Sequence, residues 1–334
     1  MALTTFNILS FLQLPGLGRI SAFRLAEYAL DNNISIDTTQ EYLDFYNMCK
    51  ENKVARALKD CSLNDIIDAK KIAQEIIDNS TTLGIKITSY YEDNFPINLK
   101  NFVNKGKQAC PIILYYKGDI NKLNNHKAVT IIGTREILPD GQVSGEYIAK
   151  KFADCHFNIV SGLALGCDST AHLGALKSDN GFTTAILAHG LDTVYPKENT
   201  SLVDKILKKG GVLLSEYPVG TSVRGNQLVE RDRLQAGLGD ATIVIHTGIN
   251  GGTMHAVGTT IENNKPLFTI AYKSLHMNNH EKVQGNLLLQ NEKGAIPLTS
   301  SNLMANIEML KANRIKDSLT NKQISLFDQP KKKD

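Results

Sequence analysis

The spacing of apolar residues changes near residue 84, and the change separates two kinds of segment. Before it, apolar positions recur with helical spacing, for example in residues 21–30 and 63–77. After it, short runs of Ile, Val and Leu predict strands, and from residue 129 these runs alternate with helical segments. The predicted strands are residues 85–88, 112–116, 129–132, 157–160, 184–187, 212–214, 242–245 and 267–270. Because the runs lack apolar–polar alternation, we predict an α/β fold with a mainly parallel sheet.

The same pattern predicts three regions: a helical domain in residues 1–80, an α/β domain in 81–305 and a polar tail in 306–334 that we expect to be disordered. The first region contains the turn Leu14-Pro15-Gly16-Leu17-Gly18, which is typical of a helix–hairpin–helix. Such a turn either exposes N–H groups to a DNA phosphate or simply connects two helices. Only Arg19 and Arg24 lie nearby, which favours the connector.

Composition narrows the functional classes. The net charge of +3 is small, so an electrostatic footprint for a polyanion would have to be local. The chain has no apolar run of about 20 residues and no signal pattern at its N-terminus, so neither a membrane span nor a signal peptide is predicted. Its five cysteines are scattered, odd in number and without C-x-x-C spacing, which indicates a reducing cytoplasm and predicts neither disulfides nor a metal site.

Distinctive loops follow the predicted strands, at the sheet edge where α/β proteins bind ligands. Gly133-Thr134-Arg135 follows the strand at 129–132, and it lacks the G-x-G-x-x-G pattern of a dinucleotide cofactor site. Arg135 either points a fixed cation into the crevice or pairs with a neighbouring acid. Residues 161–168 follow the next strand and open a helix, which is either an anion site or ordinary turn geometry.

The remaining loops offer further candidate chemistry. Asp168 and His172 are spaced i, i+4, which fits an acid–base or metal pair, although a helix cap with a hydrogen-bonded histidine is favoured. Arg231 and Arg233 flank Asp232, as either a solvated ion-pair cluster or a phosphate clamp. No loop offers a nucleophile beside a base. We therefore predict a site that holds an anion, with no catalytic residue and no cofactor.

Several ordered motifs together resemble the DNA-processing protein A family (DprA, also called Smf). They lie between about residues 10 and 300. The motifs are Leu14 to Gly18, Leu114-Tyr115-Tyr116-Lys117-Gly118-Asp119, Gly133-Thr134-Arg135, the run from Ser161 to His172, Gly190-Leu191-Asp192 with Tyr195-Pro196 and Asn199, Leu214-Ser215-Glu216-Tyr217-Pro218, Gly285-Asn286-Leu287-Leu288 and Gly294-Ala295.

The resemblance implies an extended Rossmann-like domain, behind a SAM-like helical domain, that binds single-stranded DNA. It also implies a homodimeric recombination mediator that loads RecA during natural transformation, in competence, and that is not an enzyme. The residues that would contact DNA are Gly133, Thr134, Arg135, Ser161, Gly162, Leu163, Ala164, Gly166, Gly190, Arg224, Arg231, Arg233, Gly251 and Gly252.

The chain departs from the family pattern at three places. The family's Phe-x-x-Arg-Asn-Arg is here Leu228-Val229-Glu230-Arg231-Asp232-Arg233, which removes an aromatic ring and adds two acids. The Ser-Gly-Ser loop is here Asn250-Gly251-Gly252, and we expect the C-terminal winged-helix domain to be missing.

The tail contains Gln323-Ile324-Ser325-Leu326-Phe327, which is similar to peptides that bind the bacterial sliding clamp. Gln323 would supply a polar hook, and Leu326 with Phe327 an apolar plug. A chance pentapeptide is the alternative.

Two other functional classes stay open. One is a nucleotide-binding sensor or a phosphoribohydrolase-like enzyme of the same superfamily, with Glu262 as the next carboxylate after the loop Gly251-Gly252-Thr253. The other is an adaptor that works through the tail peptide alone.

Overall fold

A nine-stranded sheet organises the part of the chain that the structure, a computed structural model, describes. That part comprises residues 3–56 and 58–312, so the predicted clamp peptide with Gln323, Leu326 and Phe327 lies outside it. The sheet strands are β1 (Lys86–Ser89), β4 (Ile113–Lys117), β5 (Ala128–Ile132), β6 (Asn158–Ser161), β7 (Thr183–Leu187), β8 (Val212–Ser215), β9 (Ala241–Val244), β10 (Leu267–Ile270) and β11 (Ile296–Leu298). A separate hairpin consists of β2 (Val103–Asn104) and β3 (Lys107–Gln108).

The sheet order is β1-β4-β8-β7-β6-β5-β9-β10-β11. All neighbours from β8 to β11 pair in parallel, whereas β4 is antiparallel to both β1 and β8. The predicted α/β class with a mainly parallel, Rossmann-like sheet is therefore confirmed. The chain runs outwards from β5 to β8 and then returns to place β9 on the other side of β5. This reversal leaves a crevice between the ends of β5 and β9.

Helices cover both faces of the sheet and form the N-terminal region. The N-terminal helices are α1 (Thr5–Gln13), α2 (Arg19–Asp31), α3 (Thr39–Glu51) and α4 (Leu63–Thr82). The later helices are α5 (Lys122–Asn125), α6 (Pro139–Asp154), α7 (Cys167–Leu176), α8 (Thr200–Lys208), α9 (Gly225–Leu238), α10 (Met254–Glu262), α11 (Leu275–Asn278), α12 (Gln284–Lys293) and α13 (Leu303–Ala312). None of the helices in the described ranges is long and apolar enough to cross a membrane.

Local sequence explains where the N-terminal helices begin. Thr38 with Glu41 and Ser62 with Asp65 form capping boxes at the starts of α3 and α4. The four helices share one hydrophobic core with the β1–β4 edge, in which Phe11 and Leu114 are fully buried. The Arg19 guanidinium, after the Leu14–Gly18 turn, donates to the carbonyls of Cys110 and Gln108. This arginine therefore holds α2 against the hairpin connection, and the domain boundary near residue 80 stays a prediction.

A half-buried lysine caps the end of α9, the helix that carries Arg231 and Arg233. Lys265 Nζ donates to the carbonyls of Ala236, Gly237 and Gly239 at 3.0, 2.6 and 2.7 Å. Burial lowers the pKa of Lys265 to about 8. An ammonium group at this position satisfies carbonyls that a helix end leaves unpaired and complements the helix dipole.

We predict that Lys265→Met lowers the free energy of unfolding by about 2–3 kcal/mol, because three carbonyls lose a charged donor. Urea denaturation of the purified variant measures this change. Lys208→Met removes an exposed lysine of α8 and should change stability by less than about 0.5 kcal/mol. Equal stability of the two variants would show that water replaces the ammonium at no cost.

Candidate functional site

The main cleft lies at the strand-order reversal, where the loops after β5, β6 and β9 meet. It has a volume of about 470 Å³ and is also lined by the first residues of α9 and α10. The predicted site residues that line it are Gly133, Thr134, Arg135, Ala164, Arg231, Gly251 and Gly252. A volume of this size accommodates one nucleotide.

Two glycines allow the loops to pack against each other. The backbone N–H of Thr134 donates to the carbonyl of His246 at 2.8 Å, and the N–H of Cys167 donates to the carbonyl of Thr134 at 3.1 Å. A Cβ on Gly133 would lie 2.5 Å from Cys167 Sγ, and one on Gly166 would lie 2.4 Å from the carbonyl oxygen of Arg135. Gly166 also has a φ of +76°. Both glycines are thus required by packing, and they fix the backbone on which Arg135 is mounted.

The loop after β9 presents backbone donors to the cleft. Gly251, Gly252 and Thr253 line it immediately before α10. Within the described ranges, the N–H groups of Gly252 and Thr253 have no hydrogen-bond partner, so they remain available. Free N–H groups at a helix N-terminus are a common arrangement for binding an anion.

The two arginines that line the cleft differ in burial and in hydrogen bonding. Arg231 is 5% exposed, and its Nη1 donates to the carbonyls of Gly162 and Ile186, the latter at 2.7 Å. Arg135 is exposed at the rim. Its guanidinium makes no hydrogen bond or ion pair with any residue that the structure describes. Arg231 is therefore committed to internal contacts, whereas Arg135 is available to a ligand.

Only glycine fits at position 162, because the Arg231 guanidinium packs directly against its Cα. A Cβ at this position would lie 2.2 Å from Arg231 Nη1. Gly162 lines a small neighbouring pocket together with Arg135, Ala164 and Arg231. The glycine therefore allows the buried guanidinium to pass directly under the loop.

The structure places the other predicted residues away from the main cleft. Arg233 is 6% exposed and makes two hydrogen bonds to the Glu216 carboxylate, at 2.8 and 2.7 Å. Gly190 packs against the carbonyl of Pro218, and Ser161 and Leu163 are fully buried. Arg224 is exposed and precedes α9 without lining the cleft.

Two carboxylates that sequence reasoning did not assign to ligand contact line the cleft. Burial raises the pKa of Asp168 to about 6, and Arg231 opposes this rise. Burial also raises the pKa of Asp232, again opposed by Arg231. Both residues lie beside predicted loops, but they are too far apart in the chain for any spacing motif to pair them.

The Asp168–His172 pair considered from the sequence does not form. His172 Nδ1 lies 2.7 Å from Thr183 Oγ1, and burial lowers the pKa of this histidine to about 3. Asp168 instead accepts from the backbone N–H of Ala164 at 3.3 Å. No group of three His, Cys, Asp or Glu side chains in the described part of the chain is arranged to hold a metal ion.

Comparisons with known proteins give one consistent result. A family model described as DNA recombination-mediator protein A matches residues 86–308. Protein Smf of Synechocystis sp. is 34% identical over 163 residues, which are 48% of this chain and 40% of that protein. DNA processing protein DprA of Bacillus subtilis is 29% identical over 211 residues, 62% of this chain and 70% of that protein. The chain thus spans well under half of the Synechocystis relative.

Two solved structures are similar in fold. The X-ray structure of DprA from Streptococcus pneumoniae superposes with a TM-score of 0.70 at 24% identity, covering 92% of this chain and 98% of that one. DprA from Helicobacter pylori, described for its single-stranded DNA binding mode, superposes with a TM-score of 0.57 at 26% identity, covering 69% and 96%. Since the family model covers well over half of the chain, this protein belongs to the DNA recombination-mediator protein A family, the DprA and Smf proteins.

Proposed function

We propose that this protein binds single-stranded DNA in the main cleft. The observation that carries the proposal is the presence, in one cleft, of Arg135 without a hydrogen-bond partner among the described residues and of free N–H groups at Gly252 and Thr253. These groups suit phosphate oxygens. The related Helicobacter pylori protein, which binds single-stranded DNA, supports the same assignment.

The finer role follows from family membership. We infer a recombination mediator that forms a homodimer, loads RecA onto the bound strand and works in the cytoplasm during competence and transformation. Strand loading requires binding and release of DNA rather than a catalysed reaction, so the proposal includes no enzymatic step.

The phosphoribohydrolase alternative depends on Glu262, and the contacts of this residue disfavour it. The Glu262 carboxylate accepts from the backbone N–H groups of Lys105 and Gly106, both at 2.7 Å. Glu262 lines a different cavity, together with Arg233 and His255. A carboxylate held by the β2–β3 hairpin is poorly placed to activate water in the main cleft.

We predict that the protein binds single-stranded oligonucleotides more tightly than duplexes of equal length. The cleft takes one nucleotide at a time, and no described helix is presented for a major groove. Affinity should fall as salt rises, because phosphate contacts release counterions. Fluorescence anisotropy over a salt series measures both effects. Equal affinity for duplex DNA would contradict the assignment of this cleft.

We predict that Arg135→Ala weakens single-stranded DNA binding by about 1–3 kcal/mol, as expected for loss of a charge-assisted hydrogen bond. The melting temperature should stay nearly constant, because the side chain is exposed and has no hydrogen bond or ion pair with a described residue. Arg56→Ala, which removes an exposed arginine between α3 and α4, is the matched control. If both variants lose affinity equally, total charge rather than the cleft governs binding.

We further propose that the tail peptide binds the sliding clamp through Gln323, Leu326 and Phe327, which lie outside the described residues. Affinity should be about micromolar, because fixing a linear peptide in a groove costs conformational entropy. Replacing Leu326 and Phe327 together by alanine should abolish clamp binding in calorimetry and leave DNA affinity unchanged. If a peptide of residues 320–331 does not bind the purified clamp, the motif is coincidental.

A further inference from the structure

Two parts of the main cleft differ in charge. The floor, formed by Asp168 and Asp232, is acidic, whereas the rim, formed by Arg135, Gly252 and Thr253, offers groups that bind an anion. Asp168 and Asp232 both line the cleft, and Asp168 is only 6% exposed. The guanidinium of Arg231 is turned into the protein, where it bonds to two carbonyls. Glu136 at the rim is neutralised by an ion pair with Lys282. A phosphate placed on this floor would meet two carboxylates, so the floor is built for another part of the ligand.

The carboxylate of Asp232 keeps one oxygen unused. One oxygen of Asp232 accepts from Arg231 Nε at 3.2 Å. The amide of Gln235 adds a bond of 3.1 Å to the same oxygen, in the orientation that also lets it accept from the N–H of Gly162. Asp168 uses one oxygen for the N–H of Ala164. The second oxygen of Asp232 has no partner among the residues that the structure describes, whereas Asp168 also has a hydrogen bond with the Ser161 side chain. Because the Asp232 side chain is 18% exposed at the cleft, its unpaired oxygen is open to a hydrogen-bond donor from the ligand.

Resting on the proposed function, we propose that Asp232 recognises the Watson–Crick edge of a guanine, so that the cleft prefers guanine-containing single strands. Guanine presents N1–H and the N2 amino group side by side, and a carboxylate can accept from both. Adenine and cytosine each present a single amino group, and thymine presents one N–H between two carbonyls. The phosphate of the same nucleotide remains at the rim, near Arg135 and the N–H groups of Gly252 and Thr253.

The contacts of Asp232 fix its carboxylate before a base binds. Arg231 and Gln235 hold this carboxylate from the α9 side, so it does not need to reorient when a base arrives. Acceptor groups fixed before binding give discrimination because a base without matching donors leaves them unpaired. Asp168 adds a second acceptor on the same floor and excludes a phosphate from it.

The test compares oligothymidylate with strands of equal length in which thymines at regular intervals are replaced by guanine, inosine, adenine or cytosine. Lithium salts prevent guanine quadruplexes. We expect guanine-containing strands to bind about tenfold more tightly than oligothymidylate. Inosine retains N1–H but lacks the amino group, so its strands should fall between the two. Equal affinity for all strands would overturn the inference while leaving single-strand binding intact, whereas no binding to any strand would overturn the proposed function itself.

The variant Asp232→Asn tests whether the Asp232 carboxylate causes the preference for guanine. Its side-chain oxygen can still accept from Arg231, so the fold is preserved, but the new amide presents a donor to the base. We expect this variant to lose the preference for guanine and to bind oligothymidylate at least as tightly as the unmodified protein. Asp204→Asn, at an exposed position of α8, is the control and should keep the preference. Retention of the preference in Asp232→Asn would show that another group reads the base.

The pH dependence gives an independent readout. Burial raises the pKa of both carboxyl groups, to about 6 for Asp168. Arg231, Arg135 and His255 are the cationic or titratable groups that oppose this rise at Asp232. As the pH falls through about 6, Asp168 takes up a proton, and Asp232, whose pKa is also raised by burial, is protonated at a higher pH than an ordinary aspartate and loses acceptor capacity. The guanine preference should therefore weaken while affinity for oligothymidylate rises, and a preference that grows at low pH would contradict this assignment.

Discussion

The buried guanidinium of Arg231 is the contact on which the site depends. It joins α9 to the loop after β6 and to strand β7 through the carbonyls of Gly162 and Ile186, and it lies beside Asp232 of its own helix. A buried cation must be satisfied on several sides, since an unpaired charge in the interior is costly. The requirement explains the glycine at 162, the acid at 232 and the glutamine at 235. Arg231, which the sequence alone suggests as part of a phosphate-binding pair, is thus used inside the protein to assemble the cleft.

Much of the fold could be predicted because the strands are buried on both faces and lie between recognisable loops. The prediction of β10 has the observed ends, and the other predicted strands differ from the observed ones by one residue at one or both ends. The antiparallel orientation of β4 was not predicted, because its run of apolar residues fits either direction. The short strand β11 was also not predicted, since two of its three residues are exposed and its pattern is weak.

The site was harder to predict for a geometrical reason. Arg231 and Arg233 are neighbours in sequence, but positions two apart on a helix point to nearly opposite sides. Arg231 consequently faces the loop after β6, whereas Arg233 faces Glu216. The acids at 168 and 232 meet only because parallel strands bring distant loops to one edge. Sequence motifs identified loops that meet at the main cleft, but they could not show which side chains bind other groups inside the protein.

The N-terminal helices and the β1–β4 edge of the sheet share one hydrophobic core, which limits how the chain can be truncated. The family match begins at residue 86, yet Phe11 lies in the same apolar cluster as Leu114 of β4. The β2–β3 hairpin receives Arg19 on one side, and its backbone binds Glu262 and Asn263 at the end of α10 on the other. Truncation at residue 86 would expose one wall of that cluster to water and remove the contact of Arg19 with the hairpin. In this chain the N-terminal helices therefore complete the core against which the β1–β4 edge of the sheet packs.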